Sequence, residues 1–372
     1  MIKRYEILDI LKGFALIGIF ILHFNQQFEI ENNYSYTSET LNNINTFFKK
    51  FAETILSGNV YLIFSLIFGI NLNFGLKNKS NKSFLFRLFI IFVIGFIHSL
   101  FYNGDILIYY SFIGVILLLI NKLDIKYIYL ILIISLIKIP LIVQMFAALD
   151  VNYQFINQND LSLLHQANET YTTKGFFDVF QFNATEGKYL SLKHYILTDR
   201  LESIFTFFLL GLIIYKKNLL SKIETNLDKV KKYTILTFIA LAVVFLIDKI
   251  SFTSNFNLAL AIKVYLISLQ SIFSSLLFTL ILTLLYYKKY NLNFFNNYGK
   301  SSLTIYVTQS LIGVTLFYNF GFDLGNKIGL LHGIGLMIVS ILIQIYFLKI
   351  WMKKFNRGPF ELLLFNVCKL VQ

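Results

Sequence analysis

Residues 7–26 read ILDILKGFALIGIFILHFNQ, and this stretch shows what kind of structure the chain adopts. It is apolar over the roughly 20 residues that a helix needs to cross a membrane. It also contains Asp9, Lys12 and His23, although ionisable groups are costly inside a bilayer. It is longer than the apolar core of a signal peptide, and no small-residue cleavage site follows it. We therefore expect a retained membrane helix that carries candidate functional residues.

The composition of the whole chain agrees with that stretch. Of its 372 residues, 56% are hydrophobic and 14% are charged, and the mean hydropathy is +0.66. Soluble domains contain roughly 25% charged residues, so the composition excludes a soluble enzyme, a disordered chain and a coiled coil. With Cys368 as the single cysteine and no His-x-x-x-His or Glu-x-x-His pair, we expect neither a disulfide framework nor a metal site.

The hydropathy pattern predicts an all-α, polytopic bundle of about ten membrane-spanning helices in one domain, 1–372. The spans are expected at roughly 7–26, 58–76, 84–102, 105–121, 126–148, 197–215, 233–250, 258–287, 301–320 and 329–350. The sequence shows no internal repeat of 20–50 residues.

The distribution of basic residues predicts the orientation of the bundle. With both termini inside, the inside segments and adjoining helix ends hold about 23 of the 33 Lys and Arg residues. These segments are 1–6, 77–83, 121–126, 216–232, 288–300 and the tail 351–372. The many Ile, Asn, Lys, Phe and Tyr residues suggest an AT-rich bacterial coding genome. We therefore expect a multi-pass protein of the bacterial cytoplasmic membrane, with the lipid bilayer as its surroundings. The net charge of +13 is then explained by inside loops, and no nucleic-acid partner is expected.

Two outside segments are not simple connections. Residues 47–57 mix apolar residues with Lys and Glu, and they are expected to lie flat on the outer interface. Residues 150–196 form the one long polar excursion. This outward-facing loop either has a role, as the cap of a cavity or as a sugar-binding segment, or is an ordered but inert connection, and the sequence leaves both interpretations open.

Lys12 and His23 share one face of the first predicted helix. Eleven residues make almost three full turns and rise roughly 16 Å, which places Lys12 near the inner end and His23 in the outer half. Asp9 and Lys12 are three residues apart and can pair at the inner interface. His23 has a plain alternative role as a hydrogen-bonding residue between helices.

A second histidine is expected at the depth of His23. His98 ends the third predicted span, and Asp105 follows at the tip of the next hairpin. A histidine beside a carboxylate is the usual arrangement of a general base. Asp105 can also cap the helix that follows it, and the two roles are compatible.

Three more polar residues fall inside or at the ends of predicted spans. Lys138 is near the middle of the fifth span, where it needs either a polar cavity or a carboxylate partner. Arg200 is either an anion-binding group or an interfacial anchor. Gln309 can hydrogen-bond a ligand or another helix.

Six blocks of the chain resemble, in order, the sequence patterns of YeiB-like bacterial inner-membrane proteins, a family defined by a domain of unknown function. The blocks are 8–19 (LDILKGFALIGI), 64–69 (FSLIFG), 98–107 (HSLFYNGDIL), 208–211 (FLLG), 299–310 (GKSSLTIYVTQS) and 355–361 (FNRGPFE). Each block is short, but together they span nearly the whole chain.

That family in turn resembles the transmembrane acyltransferases of the acyltransferase-3 and heparan-glucosaminide N-acetyltransferase-like groups. These enzymes move acyl groups from cytoplasmic acyl-CoA to acceptors at the outer face. The acyltransferase-3 branch has Arg or Lys, ten residues and then His in its first helix, as Lys12 and His23 do here. YeiB-like sequences usually have Arg and often Asn at these positions, and often Lys where this chain has Asn59. Lys12 lacks the bidentate fork of Arg, so its contact with a donor is less specific in geometry.

The resemblance implies a cell-envelope acyltransferase with no tightly bound cofactor and with an acyl-CoA, such as acetyl-CoA, as co-substrate. It makes His23 a base or acyl carrier, with His98 and Asp105 orienting it or sharing the proton. The other implied roles are Lys12 and Asp9 at the donor and Gln309, Arg200 and Lys138 at the substrate. The acceptor would be a glycan, a lipid-linked molecule or a small molecule. The alternatives are a transporter or flippase and a non-catalytic membrane protein of an envelope pathway.

Overall fold

The computed structural model describes residues 5–31, 34–56, 58–76, 81–150, 152–250 and 255–369, and α-helix is the dominant structure throughout these ranges. The α-helices, in chain order, are α1 (Glu6–Asn25), α2 (Glu39–Leu56), α3 (Val60–Leu76), α4 (Asn81–Phe101), α5 (Leu107–Ile120), α6 (Ile125–Ile137), α7 (Ile139–Ala147), α8 (Gln158–Thr173), α9 (Phe176–Ala184), α10 (Glu186–Leu197), α11 (Arg200–Lys216), α12 (Leu227–Ile250), α13 (Phe256–Tyr287), α14 (Asn293–Gly299), α15 (Ser302–Phe317), α16 (Leu330–Trp351) and α17 (Pro359–Lys369).

Six of the described segments are long and apolar enough to cross a membrane. They are Glu6–Asn25, Asn81–Phe101, Ile125–Ala147, Glu224–Ile250, Phe256–Tyr287 and Leu330–Trp351. The other four predicted spans are helical but short, at α3, α5, α11 and α15. The prediction of an all-α, multi-pass membrane protein is confirmed, whereas ten spans and two cytoplasmic termini stay predictions. Part of the predicted inside segments 1–6 and 77–83 lies outside the described residues.

Glycines of the sequence blocks lie where helices cross most closely. A Cβ on Gly13 of α1 would sit 2.0 Å from the carbonyl oxygen of Phe295 in α14, and Gly299 faces α1 in the same way. Gly69 of α3 and Gly211 of α11 make a second crossing of this kind. Small residues let helix backbones approach in membranes, where dispersion contacts replace the hydrophobic driving force. These crossings hold α1 and α3 in the centre of the bundle.

The fifth predicted span is not one continuous helix. Lys138 separates α6 from α7 in a left-handed conformation with φ 61°, and Asp199 has a similar φ of 62° before α11. The two side chains are fully buried, with Lys138 Nζ 2.8 Å from Asp199 Oδ2. Ser203 accepts a hydrogen bond from Lys138 Nζ at 3.0 Å and Ser268 donates to Asp199. Of the two interpretations of Lys138, the structure therefore contains the ion pair with a carboxylate.

The polar excursion predicted at 150–196 is helical rather than a loop, and we call helices α8 to α10 the cap. Its sequence contains strong helix-starting signals, and Asn157 and Asp160 form a reciprocal capping box at the start of α8. The fully buried Asn183 donates to the carbonyl of Leu100 at 3.1 Å, which ties the cap to α4. An ordered structure seated on the bundle favours the capping interpretation over an inert connection.

The predicted tail also packs against the bundle. Its helix α17 places Glu361 at the start of α15, where Oε1 accepts from the backbone N–H of Leu303 at 2.6 Å and Oε2 from the hydroxyl of Thr304 at 2.6 Å. A carboxylate at a helix N-terminus satisfies free N–H groups and opposes the positive end of the helix dipole. Two of the sequence blocks, 299–310 and 355–361, meet at this contact.

The segment predicted to lie on the interface forms most of α2. Phe47, Phe48 and Phe51 are exposed, as are Lys49 and Lys50. Exposed aromatic residues next to lysines are typical of helices that lie at the lipid headgroups. Residue 57 of this segment lies outside the described residues.

Candidate active site

Helix α1 connects the two ends of the candidate site. It is continuous from Glu6 to Asn25, so Lys12 and His23 lie on one helix, roughly 16 Å apart along its axis. We use the names Lys12 end and His23 end for the two ends of the bundle. The predicted orientation makes the Lys12 end cytoplasmic.

His98 and Asp105 form a buried pair at the His23 end. The Nδ1 atom of His98 lies 2.7 Å from Oδ2 of Asp105, and both side chains are 1% exposed. The hydroxyl of Tyr306 donates to the same carboxylate oxygen at 3.3 Å. The other oxygen, Oδ1, accepts from the backbone N–H of Ile108 at 3.1 Å, so Asp105 also caps α5. The structure thus contains both arrangements that the sequence offered for Asp105.

This pairing leaves the other ring nitrogen of His98 available. Its Nε2 is buried and has no hydrogen-bond partner among the described residues. A carboxylate at Nδ1 favours the tautomer with the proton on Nδ1, which leaves a lone pair on Nε2. The His98–Asp105 pair therefore has the geometry of a general base, with Asp105 as its orienting group.

His23 is held by a tyrosine that the sequence analysis did not single out. The hydroxyl of Tyr102 lies 2.7 Å from Nδ1 of His23, and the two rings meet edge to face at 4.9 Å. Tyr102 also contacts His98 edge to face, with ring centroids 6.3 Å apart. Tyr102 thus contacts both histidines, and no hydrogen bond joins His23 directly to Asp105 within the described part of the chain. The pairing of His98 with Asp105 makes His98 the better-placed base.

A cavity of about 200 Å³ opens at the Lys12 end, and we call it the basic cavity. Its lining includes Lys12, Arg87, Lys300 and Glu361, together with apolar residues of α3, α4 and α15. Lys12 Nζ pairs with Asp9 at 3.0 Å, as its spacing predicted. Tyr306 lines the same cavity and donates to Asp105, so one tyrosine connects the basic cavity to the His98–Asp105 pair.

A second depression lies beside Asp105, and we call it the lateral groove. It has a volume of about 690 Å³ and runs between α4, α5, α10 and α11. Asp105 lines it directly, and so does Ile108, whose neighbour Leu107 lines the basic cavity. Asp105 therefore borders the largely apolar groove and is joined to the basic cavity through the hydroxyl of Tyr306.

The three residues proposed for the substrate lie apart from this pair. Arg200 lies beside the rings of Tyr61 and Tyr195, 5.6 and 5.7 Å from their centroids, within electrostatic range of His23. Gln309 donates to the Tyr298 hydroxyl at 2.9 Å and to the Leu16 carbonyl, so it joins helices. Lys138 is enclosed in its ion pair with Asp199.

The sequence analysis did not identify Tyr102, Tyr306 and Lys188, which contact or adjoin the His98–Asp105 pair. Tyr102 and Tyr306 fall inside two of the quoted blocks, and that was the available signal. A buried tyrosine is otherwise indistinguishable from an ordinary core residue. Lys188 belongs to the cap, whose position over the site depends on tertiary packing. Within the described ranges, no group of three or more His, Cys, Asp or Glu residues is arranged to hold a metal ion.

Comparison with known proteins identifies relatives but assigns no activity. Residues 214–367 match the family model described as "Protein of unknown function (DUF418)". The chain is 24% identical over 391 residues to the uncharacterized protein YxaH of Bacillus subtilis (strain 168), covering 96% of this chain and 92% of that protein. It is 27% identical over 122 residues to an uncharacterized 39.9 kDa protein in the amylase 3′ region of Bacillus acidopullulyticus, covering 31% of this chain and 34% of that protein. No solved structure matches.

The predicted likeness to YeiB-like proteins is thus confirmed for residues 214–367, with a distant relationship over most of the chain. The matched region includes α12 to α16 and most of α17, and it contributes Tyr306 to the site. The further resemblance to acyltransferases stays a prediction.

Proposed function

We propose that the chain is a membrane acyltransferase that moves an acyl group from a cytoplasmic acyl-CoA to a hydroxyl or amine at the outer face. The observation that carries this proposal is that Asp105, which pairs with His98, lines the lateral groove and accepts a hydrogen bond from Tyr306, which lines the basic cavity. A base connected to two spaces suits transfer between a donor and an acceptor that approach from different sides.

The donor is assigned to the basic cavity because of its charge. Arg87 and Lys300 line this cavity without an ion pair to any described residue, and Lys12 adds a third cation. The phosphates of a CoA ester carry several negative charges and are attracted to a cavity lined by cations. The pantetheine arm would then extend towards Tyr306 and Asp105.

The chemical step needs one base at the acceptor. Nε2 of His98 takes the proton of the acceptor hydroxyl, whose oxygen attacks the thioester carbonyl. The C–S bond breaks, an ester forms, and the thiolate leaves as CoA after taking up the proton from His98. Asp105 stabilises the imidazolium through Nδ1, as the orienting carboxylate does in a catalytic triad. His23 and Tyr102 then bind the acceptor or the developing oxyanion.

The test uses detergent-purified protein, labelled acetyl-CoA and a longer acyl-CoA. We expect slow release of free thiol by the wild type and a loss of about 10²–10⁴-fold in His98→Asn. His165→Asn is the matched control, because His165 is exposed on α8 in the cap. Equal turnover by wild type and His98→Asn, with both proteins folded, would remove His98 from the mechanism. No turnover of any acyl-CoA by the wild type would contradict acyl transfer.

One observation favours a transporter as the second candidate. Lys138 and Asp199 place a buried ion pair at two left-handed breaks in the helices, and Oδ1 of Asp199 has no partner within the described residues. Broken helices with buried charges form substrate and ion sites in many transporters. Movement of an unchanged solute into proteoliposomes, abolished by Asp199→Asn and unaffected by His98→Asn, would favour that function.

A further inference from the structure

The lateral groove has one polar end and a long apolar remainder. Its polar end is formed by Ser99, Asn103, Asp105 and Lys188, at the start of α5. From there the groove follows α5 from Ile108 to Ile116, eight residues and roughly 12 Å along the helix. Its apolar walls are Phe112, Ile113 and Ile116 of α5, Leu192 of α10, and Leu201 and Phe205 of α11. The lining also includes Tyr109, Pro140, Ser191 and Glu202, so one carboxyl group of α11 adjoins this apolar wall.

The groove is open on the side of the bundle that faces lipid. Phe112 and Ile116 are 59% and 48% exposed, and they lie on a helix whose outward face is apolar throughout. The polar end coincides with the start of α5. With α5 as one of the predicted spans, this end lies at the membrane surface and the apolar part runs towards the middle of the bilayer. A lipid in one leaflet has this same arrangement of headgroup and chain.

Two polar groups at the head of the groove are left to interact with a ligand. Lys188 contacts the hydroxyl of Ser99 and has no ion pair with any described residue. Burial lowers the pKa of Lys188 to about 8, with the nearby Asp105 acting in the opposite direction, so the ammonium stays mostly protonated at neutral pH. Oδ1 of Asn103, a residue that is 7% exposed, is buried and accepts no hydrogen bond from the described part of the chain.

We propose that the lateral groove binds a membrane lipid whose headgroup combines a phosphate with free hydroxyls. The phosphate lies against Lys188, a headgroup hydroxyl donates to Oδ1 of Asn103, and one hydrocarbon chain fills the groove along α5. Charge complementarity identifies the phosphate, and the buried free acceptor identifies the hydroxyl. The apolar wall requires the chain, because exposed apolar surface in a cleft gains from dispersion contacts with a matching ligand.

The position of the groove also brings this lipid close to the His98–Asp105 pair. Asp105 lines the groove and accepts from His98, so a headgroup hydroxyl at Asn103 would lie beside the proposed base. That the bound lipid is the acyl acceptor rests on the proposed function. The binding of the lipid itself does not rest on the proposed function.

The experiment is native mass spectrometry of delipidated protein in detergent, titrated with phosphatidylglycerol or phosphatidylcholine. We expect one tightly held phosphatidylglycerol and about tenfold weaker binding of phosphatidylcholine, the size of one hydrogen bond to an otherwise unpaired buried acceptor. Lys188→Gln should lower the affinity for both lipids, since both carry the phosphate, whereas Asn103→Ala should remove the preference for phosphatidylglycerol, since only that headgroup offers a hydroxyl to Oδ1 of Asn103. Ile116→Trp, which fills the groove, should lower the affinity for both lipids, whereas Leu119→Trp should not, since Leu119 is 64% exposed outside the groove.

Three results would overturn the proposal, with folding checked for each variant by size-exclusion elution. They are equal binding of both lipids by the wild type, wild-type binding by Ile116→Trp, and displacement of the lipid by soluble glycerol phosphate. His98→Asn separates the two proposals, because it should bind phosphatidylglycerol like the wild type. If the wild type binds this lipid but shows no acyl transfer, the proposed function fails and the lipid site stands.

Discussion

His98 Nδ1 lies 2.7 Å from Asp105 Oδ2, and both side chains are almost completely buried. The two residues are seven apart in the chain, at the end of α4 and just before α5, so a single helical hairpin builds the pair. Gly95 allows this close approach, because a Cβ there would lie 2.9 Å from Oδ1 of Asp105. The same carboxylate thus caps α5 and orients the imidazole, which connects the local fold to the proposed chemistry.

The first prediction separates those two roles of Asp105. Asparagine caps helices about as well as aspartate, so Asp105→Asn should leave the stability of the protein nearly unchanged. It removes the negative charge that stabilises the imidazolium, so the rate of thioester turnover should fall by about 10²-fold or more. Turnover and the apparent melting temperature in detergent are measured together. Unchanged turnover per folded molecule in Asp105→Asn would show that Asp105 acts only as a cap.

The second prediction concerns the buried ion pair of Lys138 and Asp199. Lys138→Met should destabilise the protein by about 3–5 kcal/mol, because it leaves a buried carboxylate without its counter-charge. The double variant Lys138→Met/Asp199→Asn should recover much of that loss, since neither charge then remains. Unfolding in a mixed-detergent titration measures both variants. Equal destabilisation by the single and double variants would contradict an ion pair as the source of the effect.

The third prediction tests the helix crossing at Gly13. A methyl group there would sit 2.0 Å from the carbonyl oxygen of Phe295, so Gly13→Ala should cost about 1–3 kcal/mol by forcing α1 away from α14. Gly335→Ala is the matched control, because a Cβ at Gly335 meets nothing within 4 Å. Thermal unfolding in detergent should show a lower melting temperature for the first variant alone. Equal melting temperatures would mean that the crossing tolerates a side chain.

The fourth prediction is a pH dependence of the cap. Lys193 and Tyr189 donate to Asp160, and these contacts hold the pKa of Asp160 below its usual range. A carboxyl with a lowered pKa in the folded state stabilises that state above its unfolded pKa of about 3.9, and this stability is lost as the pH falls through the lowered value.

Hydrogen exchange of residues 158–197 should therefore accelerate as the pH falls below about 4, after correction for intrinsic rates. Asp160→Asn should remove that acceleration, because it has no proton to gain. An unchanged pH profile in this variant would show that the contact of Asp160 with Lys193 does not control the stability of the cap.

The sequence predicted the helical class and the extent of most helices because long apolar runs have few alternatives in a membrane. It placed His98 and Asp105 together because a hairpin tip between two apolar helices leaves little freedom. It also predicted that Asp9 pairs with Lys12 and offered a carboxylate as one of two possible surroundings of Lys138, since an unpaired charge in hydrocarbon is costly.

The remaining features depend on contacts between distant segments. Nothing near Lys138 in the chain identifies Asp199 as its partner or shows that the helix breaks there. The hydrogen bond of Tyr102 to His23 joins residues that are 79 apart in the chain. The cap was expected as a loop because its polar composition hides its helices from a hydropathy reading, although Asn157 and Asp160 already marked the start of α8.

Transfer of label across a sealed membrane tests the central claim most directly. Inverted vesicles with wild-type protein or with His98→Asn or His165→Asn receive labelled acetyl-CoA at the Lys12 side, and covalently bound label is measured in the lipid and lumenal fractions. We predict that label leaves CoA and appears in an ester or amide with wild type and His165→Asn, and that His98→Asn forms about 10²-fold less. Label that stays on CoA in wild-type vesicles, with the longer donors also inactive, would contradict the account.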